Sequence, residues 1–155
     1  MKMALALLAL VVIAAIAVSG CGVSALEAHT ESALIVREAL NTSGNMIHDD
    51  MHKRAIKAAS DETVDTATAE LNAHNVIRTY NPVIKLHGDA ITVWQLWVTS
   101  LLSAYKDDVE DTDVWRRLAA NAFAAYKDLA VQALRHDLKI PSILVPMKTA
   151  LKTAE

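Results

Sequence analysis

The chain has 155 residues, with 15 Lys and Arg against 18 Asp and Glu, for a formal charge of −3. One domain is the default for that length, and the scattered basic residues exclude the basic patch of a nucleic-acid-binding surface. Few Gly and Pro, with abundant Ala and Leu, predict an all-α fold, and the single cysteine excludes an internal disulfide.

The first element is an apolar leader. Residues 1–21 begin Met-Lys-Met, run from Ala4 to Val18 without a charge and end Ser19-Gly20-Cys21. A basic start, an apolar run of about fifteen residues and a small-residue end make the layout of a secretory signal. The run falls short of the ~20 residues of a transmembrane helix.

Val18-Ser19-Gly20-Cys21 resembles the lipobox of bacterial lipoproteins, with Val18 where Leu is commoner. The resemblance covers residues 1–22 and does not extend into the rest of the chain. It implies that the Cys21 thiol takes a diacylglyceryl group as a thioether. It also implies that a peptidase cuts the Gly20–Cys21 bond and that the freed amine is open to acylation. Residues 1–20 are then a signal peptide, and residues 21–155 a domain held to the membrane by at least two acyl chains, enough for stable anchoring. The place implied is the extracytoplasmic side of a bacterial envelope. Gly22 stands where Asp commonly marks inner-membrane retention, which favours the outer membrane in a Gram-negative host. The competing reading is an uncleaved anchor from Met3 to Val23, about twenty residues. Against it, no basic cluster follows; apart from His29 the next basic side chain is Arg37.

Four helical stretches are predicted after Cys21. In the first, about 25–60, Leu26, Ala33, Val36, Leu40, Ile47, Met51, Ala55 and Ala58 recur at helical spacings. Thr42-Ser43-Gly44-Asn45 is its weak point, read as a break or a weak turn. The second, about 63–80, is capped by Ser60 or Asp61 and ended or kinked by Asn81-Pro82. The third, 83–106, is the most apolar: Ile91, Trp94, Val98, Leu101 and Tyr105 make one stripe, widened by Val93, Leu96, Trp97 and Leu102. Such a helix is expected at the centre of a bundle, with Trp94 and Trp97 buried.

Lys106 to Asp113 is an acidic turn that lacks the glycine and the final glutamate of a calcium loop. It precedes a fourth stretch, 114 to about 139, with Thr112 or Asp113 as cap and Trp115, Leu118, Ala122, Phe123, Tyr126, Leu129 and Ala133 on its buried face. Pro141 to Pro146 reads as an extended segment and 147–154 as a last short helix. The expected architecture is an antiparallel bundle of about four helices.

No catalytic residue or cofactor site is expected. His48 and His52, four apart on one helix face, are weak candidates for sharing a metal. Asp49 replaces the glutamate of the zinc-protease pattern, and no third ligand is fixed; His29, His74 and Glu70 are the options. Asn72, His74, Asn75, Arg78, Tyr80 and Asn81 form a second polar group near Pro82. The expected function is a non-enzymatic interaction domain, anchored through Cys21, that binds another protein or a copy of itself. A metal-dependent enzyme or carrier using His48 and His52 is one alternative. An exported factor of a mobile element, for entry exclusion or lysis, is another.

Overall fold

The computed structural model describes residues 24–107 and 111–143. Among them the chain is all-helical, with no strand. The leader, Cys21, the middle of the acidic turn and the segment after Ile143 lie outside the described residues.

Helix α1 spans Ala25–Ala59, α2 Thr66–Thr79, α3 Asn81–Asp107 and α4 Thr112–Leu134. A capping box starts α1: the Glu27 amide donates to Ser24 Oγ (3.2 Å) and the Ser24 amide donates to the Glu27 carboxylate (3.1 Å). These bonds satisfy two backbone donors that a helix start leaves open. Asp65, not Ser60 or Asp61, caps α2 by accepting from the Thr68 amide (3.0 Å) and hydroxyl (2.7 Å). Asp111, earlier than expected, caps α4 by accepting from the Val114 amide (3.0 Å).

Pro82 does not break the chain into separate rods. It sits in the first turn of α3, where a missing N–H costs nothing. Tyr80, the only residue between α2 and α3, is itself in the right-handed helical region. Cross-contacts on α1 step backwards along this run: Ala33 meets Trp94, Leu40 meets His87, and Asp50 meets Tyr80. Hence α1 lies antiparallel first to α3 and then to α2. Helix α4 packs chiefly on α3 and more sparsely on α1. The four helical segments therefore pack as three rods.

The buried face of α1 follows the expected spacing, with Ala33, Val36, Leu40, Ile47 and Ala55 in the core. On α3 the centre differs from expectation. Trp97 is fully buried, together with Val83, Ala90, Leu101 and Ala104. Trp94 is half-buried and donates its indole N–H to the Ala33 carbonyl (2.8 Å). Leu96, Leu102 and Tyr105 are exposed. The uncharged sequence is thus wider than the face that α1 and α4 cover.

Helix α4 ends at Leu134, about one turn short of the expected Lys139. Asp137 adopts φ 61°, the left-handed conformation of a helix-ending residue. The Leu138 amide then donates back to the Ala133 carbonyl (3.1 Å). Asp tolerates this conformation better than most residues, but no glycine marks it in the sequence. Residues 138–143 turn back over the helices, and Ile143 is buried.

The weak point of α1 is a turn of the helix and not a break. The helix is continuous through Gly44, and the small residues admit two neighbours. The Ser43 hydroxyl donates to the Ala39 carbonyl (2.6 Å) and lies 3.0 Å from the Tyr126 hydroxyl, which donates to the Pro141 carbonyl (2.7 Å). The His87 ring rests over Gly44 with Nε2 2.9 Å from the Leu40 carbonyl.

Gly44→Ala tests that contact. Mid-helix Gly to Ala normally stabilises by about 0.5–1 kcal/mol. Here the new Cβ would lie 2.7 Å from His87 Cε1, so the ring must move and its hydrogen bond, worth about 0.5–1.5 kcal/mol, is lost. The substitution is expected to give no stabilisation in the wild type, but about 1 kcal/mol in a His87→Ala background. Urea denaturation of the four proteins measures the difference; equal effects in both backgrounds would rule the contact out.

Candidate functional site

His48 and His52 lie on one face of α1, as their spacing requires, with rings stacked 6.0 Å apart. Both are exposed. His48 Nδ1 is 3.6 Å from its neighbour Asp49. No group of three His, Cys, Asp or Glu side chains that could hold a metal occurs among the described residues. The three suggested third ligands do not join the pair: His74 and Glu70 are exposed on α2, and His29 is in the core.

The polar group before Pro82 does not converge either. Asn72, His74, Asn75, Arg78 and Asn81 are exposed, and Tyr80 alone turns inward. Its hydroxyl donates to the Asp50 carboxylate, and its ring stacks on His136 at 4.2 Å. Arg54 completes the cluster, with Nε 3.0 Å from Asp50 and Nη2 donating to the His136 carbonyl (3.0 Å). Burial, and then the Asp50 carboxylate, push the Tyr80 hydroxyl up to about 12. Tyr80 therefore stays a donor at any ordinary pH. Burial works against the Asp50 charge, but the Tyr80 and Arg54 hydrogen bonds outweigh it and hold the carboxyl below its usual range. These residues tie α1, the α2–α3 junction and the end of α4 together.

One concave feature is an apolar groove of about 360 Å³ between α1 and α3. Leu26, Thr30, Ala33, Leu34 and Arg37 form its α1 wall. Trp94, Val98, Leu101, Leu102 and Tyr105 form the other. Its rim is unusually exposed for such side chains: Leu34 57%, Leu102 64% and Tyr105 81%. The sequence placed Tyr105 on the buried stripe and gave Leu34 no role. The signal available was the apolar excess of both helices over one buried face each. A second recess of about 400 Å³, lined by Gly44, His48, Met51, Ile84 and His87, lies further along the same helix pair.

His29 is the other group out of its usual setting. It is 2% exposed, set edge-on to Trp97 and Trp115 at 5.8 Å each. Its Nδ1 and the Trp97 indole N–H have no hydrogen-bond partner among the described residues. Burial, with a smaller contribution from Arg116, holds the imidazole below its ordinary 6.5. The unfolded chain therefore takes up this proton more readily than the folded one, so stability rises with pH.

The stability that depends on a neutral His29 is complete above about 6.5 and is lost as pH falls from there towards the folded value. The Asp50 contribution is lost in a separate, lower window, below its ordinary 3.8. Denaturant midpoints should fall between pH 7.5 and 5.5 in the wild type, and the fall should shrink in His29→Phe. An unchanged slope in that variant would place the titration elsewhere. No protein-family model, curated protein or solved structure matches this chain, so its function has to be read from these residues alone.

Proposed function

We propose that the chain is a lipid-anchored protein of the bacterial cell envelope whose helical domain works by non-covalent contact rather than catalysis. The observation that carries the reading is the spacing between anchor and fold. The lipobox-like Val18-Ser19-Gly20-Cys21 ends three residues before Ser24, whose side chain caps α1. Almost no tether separates the lipid site from the domain, which sits against the membrane surface.

A binding role is favoured over chemistry by what the polar residues do. Asp50, Tyr80 and Arg54 serve one another, His87 serves the Leu40 carbonyl, and Tyr126 serves Pro141. Large apolar side chains also stay exposed, Leu34, Leu102 and Tyr105 around the groove and Leu71, Leu96 and Leu134 away from it. Apolar side chains gathered around a concave surface are a usual mark of an interaction site. The four helical segments are read as one antiparallel bundle, and the partner as another protein or a second copy of this chain. No helix among the described residues is long and apolar enough to cross a membrane.

Cys21→Ser separates the anchor from the fold. The variant is expected to remain uncut at Gly20–Cys21 and to take up no fatty-acid analogue, while the wild type is labelled. The thermal midpoint of its helical domain should match that of the wild type, since the α1 cap starts at Ser24. Equal labelling of the two proteins would rule out Cys21 as the lipid site.

A further inference from the structure

We propose that the groove between α1 and α3 holds one of the acyl chains carried by Cys21, so that the domain packs on its own lipid. The proposal rests on the lipid-anchor reading of Cys21 and gives the groove its occupant. Reach, length and composition support it.

Leu26, in the first turn of α1, lines the groove at its end nearest Cys21 in the chain. Cys21 stands three residues before Ser24, a stretch that spans at most about 11 Å when extended. The lipid is therefore tethered beside that end of the groove. A tether this short gives a bound group a high effective concentration without any added contact.

Length agrees with one chain. On α1 the groove runs from Leu26 to Arg37 and on α3 from Trp94 to Tyr105, in each case roughly 16 Å of helix. A bilayer core of ~30 Å holds two leaflets, so one acyl chain extends over roughly 15 Å. The groove thus takes one chain of the diacylglyceryl group; the other, with the chain that the freed amine is open to carrying, stays in the bilayer and makes up the two that stable anchoring needs.

Composition agrees as well. Val98 and Leu101 lie along the α3 wall, Thr30 and Tyr105 bring the hydroxyl groups of the lining, and Arg37 stands at the end far from Cys21. Tyr105 stands at the near end, its ring largely exposed, where an amphipathic ring suits the border between lipid and water. A lipid tail sheltered there covers apolar surface that would otherwise face water.

The test uses the full chain, lipidated in cells fed a fatty-acid analogue bearing a mid-chain diazirine. After irradiation of the membranes, the sites joined to the Cys21 lipid are mapped by mass spectrometry. Links within one chain to Leu34, Val98 or Leu102 are expected. Thr30→Trp, which fills the groove from an exposed position, and Leu102→Lys, which sets a charge in it, should each lower those links several-fold without lowering Cys21 labelling. A labelled Cys21 linked only to phospholipid would overturn the proposal, as would links joining two chains, the mark of a second copy in the groove. An unlabelled Cys21 would remove the anchor reading itself, and the proposal with it.

Discussion

Two helices approach only as closely as their side chains allow, and α1 meets α3 at a position that has none. With Gly44 beneath the His87 ring, the remaining cross-contacts follow in antiparallel order. The Leu40 carbonyl meets His87, the Ala33 carbonyl meets the Trp94 indole, and Asp50 meets Tyr80. Sliding one helix by a turn, ~5.4 Å, would leave Trp94 without its acceptor and Asp50 without its phenol. The same approach shapes the groove, because α1 and α3 leave open space on the Leu26 side of that contact. A glycine that weakens the helix in isolation thus sets the packing of the whole.

Polar groups finish what this contact begins. Ser43 and Tyr126 connect α1 to α4, and the Tyr126 hydroxyl then holds the returning chain at Pro141. Arg54 bridges to the His136 carbonyl just past α4. Helices α1 and α4 touch each other sparsely, and the segment carrying Leu138, Ile140 and Ile143 packs against the same core. Its apolar side chains close a gap that the helices leave, which is why so irregular a stretch lies where it does.

Much of this was legible in the sequence because helical periodicity is local. Spacing alone located four helical segments and most of the α1 and α4 core. Helix ends were less legible: several Asp, Ser and Thr residues compete to cap each start, and the left-handed Asp137 carries no glycine to announce it. Trp94 and Trp97 looked equivalent on an uncharged helix; only the placement of two neighbouring helices decides which is fully enclosed. His48 and His52 share a face by counting, but a third ligand depends on tertiary placement, which put His29 in the core. The groove was illegible for the same reason, since each wall supplies only half of it.

The rods differ in reach. Helix α1 has 35 residues, roughly 52 Å from end to end, and α4 accompanies it only from the level of His29 to that of Arg54. Beyond Arg54 the described residues are two helices thick: Ala55 and Ala69 are the ones buried there, and Ile56 and Leu71 are exposed. If Cys21 is fixed at the opposite end, as proposed, this slender arm is a cantilever, thick at its root and thin at its tip. A load on the loop between α1 and α2 acts on the part with the fewest buried contacts, and such parts open at the lowest free energy. The arm would therefore splay before the three-rod root yields.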